Sequence, residues 1–313
     1  MASLAIVPFT DKHMEGAAAL LGERLARQRA AEPLLVVDDP RKALERLSRD
    51  PEVSGNVAVR GDVVEAFVLA RLEDHPLYGR NAWIRAAGHA TRRAELLRDV
   101  YAVAADGWFR AGHRRHYVNV PALTDELDPW HRLGFHHMHV DTAVRETETA
   151  PVETNGFSIR DGRPEDLYDA VRIDLLIFEH QQATPSFGLV DIEADMEERR
   201  ADWAEELADE RFHYFVAERD GRIVGHTGLG MVEPDFGLPA DALDLSSTAV
   251  DPSERGTGVG LALTLHAINW AAKHGYPVIF TAWRVTNLLA SRFWPARGFR
   301  PVYQRLHRAV GLG

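Results

Sequence analysis

The sequence predicts an α/β protein built as two similar units in tandem, and three observations carry that reading. The chain has 313 residues, about twice an average domain. Strand and helix signals follow the same order in each half, with alternating runs around glycine turns giving way to helix-period stripes. A short motif also recurs: Trp130-His-Arg-Leu-Gly134-Phe135 returns as Trp294-Pro-Ala-Arg-Gly298-Phe299, the two glycines standing 164 residues apart.

In the first half, residues 4–9 read as a strand and residues 11–31 as a helix with an apolar stripe at Ala17, Leu20, Leu21 and Leu25. A second helix is expected over 40–49. Residues 56–61 and 63–72 alternate around Gly61-Asp62, a hairpin signal, and 82–87 read as a further strand. A long helix over 93–110, apolar at Leu96, Leu97, Val100, Val103 and Ala104, is closed by Gly112. A strand at 116–120, a short helical piece at 129–132 and a strand opening at Gly134-Phe135 complete the half. Residues 145–156, R-E-T-E-T-A-P-V-E-T-N-G, are polar and aperiodic. The expected partition is therefore a first domain at 1–145, a linker at 146–156 and a second domain at 157–313.

The second half repeats the plan: a strand from 157, a helix over 164–179, a charged helix over 191–207, and strands at 214–217 and 223–229 around Asp220-Gly221. A β-branched strand then ends at Asp251-Pro252, and a helix over 261–273 carries Leu261, Leu265, Ile268 and Ala272 on one stripe. After Gly298 there is room for one strand. The first half has the same shortage, so the two sheets are expected to abut or share strands rather than leave an apolar edge bare.

Composition removes several function classes. There is no cysteine, hence no disulfide framework, thiolate metal site or thiol nucleophile. The first residues lack a basic segment followed by an apolar run, and no stretch reaches membrane-spanning length, so a cytoplasmic protein without a membrane partner is expected. A formal net charge of −11 repels a phosphate backbone, which argues against nucleic acid.

The most informative stretch is Arg255-Gly256-Thr257-Gly258-Val259-Gly260, between the strand end and the apolar helix. Glycines at alternate positions let an anion approach the backbone, and the unpaired amides of a helix start favour negative charge. A diphosphate suits this better than a single carboxylate. A dinucleotide fingerprint does not close, because its last glycine position falls on Leu261 or Leu263, and no lysine precedes Lys273 to make a P-loop. What closes is R-x-x-G-x-G at Arg255, Gly258 and Gly260.

This pattern resembles the acetyl-coenzyme A loop of the GNAT acyltransferase superfamily, and Asn287…Trp294-Pro-Ala-Arg-Gly298-Phe299 resembles that family's second motif. The resemblance implies two tandem GNAT-like domains, each a mixed, mostly antiparallel sheet flanked by helices. It implies acetyl-CoA as co-substrate, without a metal, held by Arg255, Gly256, Thr257, Gly258, Val259 and Gly260. Backbone amides of Ala249 and Val250 would polarise the thioester. Asn287 would hold pantetheine, a role compatible with helix capping, and Trp294 would pack against the cofactor. The family's usual acid, a tyrosine four residues before Gly-Phe, is here Trp294, whose indole cannot act as an acid near neutral pH; either Tyr303 or Tyr276 serves instead, or the thiolate leaves unassisted, or this copy only binds. Candidates for the base are Asp244, Glu233, His226 and Glu179-His180.

The first copy departs from the pattern. Aligned on the helix-ending glycines, its loop reads Arg92-Arg93-Ala94-Glu95-Leu96-Leu97, with a carboxylate at Glu95 and a side chain at Leu97 where the second copy has glycines. A supporting role follows for the first half. His136-His137-Met138-His139, with His131, His113 and His116 nearby, lacks a recurring ligand spacing and is not expected to hold a metal. The expected function is transfer of an acetyl group from acetyl-CoA to an amine of a small molecule. Glu179, Asp191, Glu193, Asp195, Glu233, Asp235, Asp241 and Asp244 point to a cationic acceptor. The alternative, from another class, is a non-catalytic acyl-CoA-binding module with a partner surface on the first half.

Overall fold

The computed structural model describes residues 3–36, 38–76, 78–188, 196–231 and 236–311. The first half forms β1 (Leu4–Pro8), α1 (Met14–Ala31), α2 (Pro40–Ser48), β2 (Val53–Arg60), β3 (Val63–His75), β4 (Gly79–Ile84), β5 (His89–Thr91), α3 (Ala94–Arg110), β6 (Arg115–Pro121), α4 (Thr124–Arg132) and β7 (His136–Glu146). The second half forms β8 (Ser158–Asp161), α5 (Leu167–Gln182), α6 (Met196–Ala208), β9 (Phe212–Arg219), β10 (Arg222–Gly230), β11 (Leu243–Val250), α7 (Val259–Lys273), β12 (Val278–Arg284), α8 (Leu288–Phe293) and β13 (Arg300–Ala309). By compactness the chain divides into unit 1, residues 1–142, 235–238 and 301–313, and unit 2, residues 143–234 and 239–300.

In unit 1, β1 through β4 pair antiparallel, β4 runs parallel to β6, and β6 pairs antiparallel with β13. Strand periodicity explains both layers of core. Ala66, Val68 and Ala70 of β3 join α3 residues Leu97, Val100 and Tyr101, while the alternate residues Phe67 and Leu69 join Leu20 and Leu21 of α1 and Leu44 of α2. Leu306 of β13 belongs to the first of these clusters. The chain's last strand therefore joins the sheet that its first strands begin.

In unit 2, β8, β9, β10 and β11 pair antiparallel and β11 runs parallel to β12. Tyr214 and Val216 of β9 pack with Ala170, Val171 and Ile173 of α5 and Trp203 of α6, whereas Phe215 between them meets His266 of α7. The expected charged helix is α6 from Met196, with 191–195 outside the described residues. Residues after Glu146 are aperiodic yet tied down: Thr147 N donates to Pro277 O at 3.0 Å, and Ala150 and Asn269 exchange two hydrogen bonds of 2.8 and 2.7 Å. Three-residue β5 had no periodicity to announce it.

The recurring motif folds the same way in both halves. Gly134 and Gly298 take φ of 83° and 81°, the left-handed conformation that ends a helical turn. Phe135 N donates to Trp130 O at 3.1 Å and Phe299 N to Trp294 O at 3.3 Å. Each Trp–Phe ring pair stands edge-on at 5.2 Å. Pro295, awkward inside a helix, instead opens a separate 3-10 turn, Pro295–Arg297, where its missing N–H costs nothing. Among the described residues no helix is long and apolar enough to cross a membrane.

Candidate active site

Two departures from regular pairing open a cleft in unit 2. The parallel pair β11–β12 is in register only at Leu243↔Ile279 and Asp244↔Phe280; Thr281 Oγ1 still reaches Leu245 O at 2.9 Å, and beyond it β11 has no strand partner on that side among the described residues. On its other side β11 carries a bulge: between His226↔Ala249 and Gly228↔Ser246, the single residue Thr227 faces both Ser247 and Thr248. A cavity of about 460 Å³ lies along this edge, within the usual range for a ligand site. Its walls include Thr248, Ala249 and Val250 of β11, Leu176, Ile177 and His180 of α5, and Ala290 and Phe293 of α8.

The glycine loop closes one end. Gly256 and Gly258 have φ of 82° and 96°, which a side chain would strain. Gly260 differs: it sits in the first turn of α7, and an added Cβ would meet only Val250 at 3.4 Å and Phe293 at 3.8 Å, so its bareness keeps the cleft open rather than relieving the backbone. Thr257 fixes the turn, its hydroxyl donating to Glu254 O at 2.7 Å. Asp251 anchors the loop's start by accepting from Ser253 N at 3.1 Å and Oγ at 2.7 Å and pairing with Arg222 at 2.8 Å; the Ser253 bonds hold its carboxyl below its usual pKa. Among the described residues, the N–H groups of Gly258, Val259 and Gly260 have no protein acceptor, and exposed Arg255 has no ion pair.

Of the ten residues expected to hold the cofactor, nine line this cavity: Ala249, Val250, Arg255, Gly256, Gly258, Val259, Gly260, Asn287 and Trp294. Thr257 does not. Asn287 caps α8, its Oδ1 accepting from Ala290 N at 3.1 Å. Trp294 is 7 % exposed and packed against Phe293 and Phe299.

The expected acid and base fare differently. Tyr303 lies on β13 in unit 1, 1 % exposed, its hydroxyl directed at Gln28 Oε1 at 3.4 Å; it is not a cleft residue. Tyr276 donates to Met231 Sδ at 3.7 Å and stacks on Trp270, outside the cleft lining. Asp244 stands where β11 is still paired with β12 and is likewise absent from the lining. His180 lines the cavity, while Glu179 is exposed. Glu233, with Asp191, Glu193, Asp195 and Asp235, lies outside the described residues. His226 is wholly buried, and burial pushes its pKa down to about 3. Its Nδ1 is 2.7 Å from Tyr214 Oη and its Nε2 3.4 Å from Ser247 Oγ. Sequence reasoning passed over Ser247 and over Asp174 of α5, whose Oδ1 accepts from Ser247 Oγ at 2.6 Å.

Unit 1 treats the corresponding elements otherwise. There β4 and β6 stay paired over four residues, Asn81↔Arg115 to Ile84↔Val118. Counted from the helix starts, Glu95 is second in α3 as Gly260 is second in α7, a closer equivalence than the one with Gly258. Glu95 pairs with Arg132 at 2.5 Å and Arg98 at 2.8 Å. Arg24 of α1, 1 % exposed, donates to Ala86 O at 2.6 Å and to His89 O at 2.5 Å. The cluster of histidines is spent on local contacts: His113 Nδ1 to Asn81 O at 2.9 Å, His116 Nδ1 to Tyr101 Oη at 2.7 Å, and His137 Nε2 to His139 O at 3.1 Å. Among the described residues no group of three or more His, Asp or Glu could hold a metal.

A sheet that splays beside a glycine-opened helix, in duplicate with one copy closed, defines an acetyltransferase fold in tandem. Residues 176–299 match the acetyltransferase (GNAT) family, and the chain as a whole has the fold of tandem GNAT proteins. It is 26% identical over 234 residues to the mycothiol acetyltransferase of Amycolatopsis mediterranei, covering 74% of this chain and 71% of that one. Among solved structures it resembles a tandem GNAT protein from the clavulanic acid biosynthesis pathway, at 16% identity and a TM-score of 0.54 over 99% of this chain and 100% of that one. It also resembles a GCN5-related N-acetyltransferase from Sphaerobacter thermophilus, at 16% identity and a TM-score of 0.59 over 98% and 95%.

Proposed function

We propose that unit 2 transfers an acetyl group from acetyl-CoA to the amine of a small cationic molecule, and that unit 1 supports it without a catalytic cleft of its own. The observation that carries this is the cleft bordered by the unpaired edge of β11 and the amides of Gly258, Val259 and Gly260. These residues fit the group: free N–H donors and Arg255 suit a diphosphate, and Leu176, Ile177, Val250 and Phe293 suit an aliphatic arm. When bound, acetyl-CoA supplies the acyl group as an activated thioester. Backbone amides at Ala249 and Val250 are the groups proposed to polarise its carbonyl. A cationic acceptor is favoured by the net charge of −11 and by exposed Glu179 and Asp241.

Release of free thiol from acetyl-CoA across a panel of amines tests this. Turnover of cationic small amines, with a KM that rises with salt, supports the proposal. Tight binding of acetyl-CoA with no thiol released for any amine would favour the alternative, a binding module in which Trp294 has replaced the acid. Best turnover of neutral or anionic amines, with KM indifferent to salt, would remove the cationic part.

A further inference from the structure

The bulge in β11 presents a serine in a conformation that serine does not favour. Ser247 has φ of 40°, in the left-handed region that strains a residue with a side chain. Glycine would relieve that strain. A hydroxyl is kept there nonetheless, and the bulge aims it at α5, where Oγ donates to Asp174 Oδ1 at 2.6 Å. Asp174 is 8 % exposed on the buried stripe of α5 with Ala170, Val171 and Ile173. A carboxylate in such a place is costly unless bonded, and its second oxygen is 3.3 Å from Arg199 Nη1. Behind the serine stands the buried His226–Tyr214 pair.

Two consequences follow from the donor count. The one proton of Ser247 is committed to Asp174 in a charge-assisted bond, so Oγ can offer only lone pairs to anything arriving from the cleft. Ser247 is itself partly exposed, and it directly precedes Thr248, which lines the cavity. From Val250, beside the anion loop, it is three residues back along the strand, roughly 10 Å at the usual strand rise. That is the end of the cleft away from the diphosphate, where an acceptor must meet the thioester.

We infer that Ser247 Oγ receives the amine of the acceptor and that Asp174 takes its proton through that hydroxyl. This rests on the transfer function proposed above. In the step, the N–H bond of the amine breaks as an O–H bond forms at Ser247 Oγ. The hydroxyl's own O–H bond breaks as one forms at Asp174 Oδ1, the nitrogen pair makes the amide bond as the C–S bond of the thioester breaks, and the sulfur leaves as a thiolate that takes a proton from water. Asp174 then returns the proton to water. Ser247 touches the substrate, and Asp174 acts through it as a positioning residue.

The test is steady-state kinetics and acetyl-CoA calorimetry on the full chain carrying Ser247→Gly, Ser247→Ala or Asp174→Asn. The expected result is a fall in kcat on the order of 10²-fold or more in each, with the Kd for acetyl-CoA within about twofold of wild type. Ser247→Gly should unfold no earlier than wild type in urea, because it loses strain and hydroxyl together; a purely structural serine would not separate these readouts. Wild-type kcat in Ser247→Gly or Ser247→Ala would overturn the inference. So would Asp174→Asn matching wild type, since asparagine keeps the hydrogen bond but takes no proton. Absence of amine turnover in the wild type would instead remove the transfer function on which it rests.

Discussion

Leu306, near the chain's end, stands opposite Val118 of β6 and is fully buried beside it. The last strand of the sequence is thus part of the unit that the first residues build, and without it β6 would keep β4 on one side and lose its partner on the other. Leu306→Ala should destabilise unit 1 by about 2–5 kcal/mol, the range for emptying a leucine site in a packed core. Urea unfolding followed by tryptophan fluorescence measures this; a change below about 1 kcal/mol would mean that β13 does not hold that core.

Gly260 separates folding from binding. Because an added Cβ meets only ordinary contacts with Val250 and Phe293, Gly260→Ala should fold and gain about 0.5–1 kcal/mol from helix propensity. The same methyl projects into the cleft between those two residues, so acetyl-CoA affinity should drop. A variant that is more stable and binds acetyl-CoA as tightly as wild type would show that the cofactor does not pass there.

Asn287 has two separable roles. Asn287→Ala removes the cap on Ala290 N and should cost about 1 kcal/mol. Asn287→Ser keeps a capping oxygen while losing the amide group, so it should fold like wild type and bind acetyl-CoA more weakly. Equal affinity in the serine variant and wild type would leave capping as its role.

Three buried histidines set the pH dependence of stability. Burial pushes His89 and His226 to about 3 and His116 to about 4, from an ordinary value of 6.5. Between those values and 6.5 the unfolded chain binds protons that the folded chain refuses, so stability is full above about pH 6.5 and declines as pH falls through the window toward 3. Thermal unfolding from pH 7.5 to 4 should show a falling midpoint, and a flat one would mean that these rings are charged or exposed.

Much of this was legible in the sequence, for identifiable reasons. The glycine turn before α7 was readable because positive-φ positions demand glycine, as at Gly256 and Gly258, and the cap at Asn287 because helix starts favour asparagine. The Trp-to-Phe motif revealed the duplication because its left-handed glycine and 6→1 hydrogen bond need fixed spacing. Tyr303 was misplaced because nothing in a strand's residues says which sheet it joins. Ser247 left no trace, since a bulge at serine has no glycine to mark it. Asp174 did leave one: it falls on the apolar stripe with Ala170, Val171 and Ile173, where a carboxylate needs a reason.

Calorimetric titration of the full chain with acetyl-CoA tests the central claim most directly, because it counts clefts. One site per chain, lost in Gly258→Glu, where a side chain at φ of 96° and a carboxylate facing the diphosphate act together, is the predicted result. Two sites per chain, or tight binding by Gly258→Glu, would contradict the assignment of the cofactor to the 255–260 loop of unit 2.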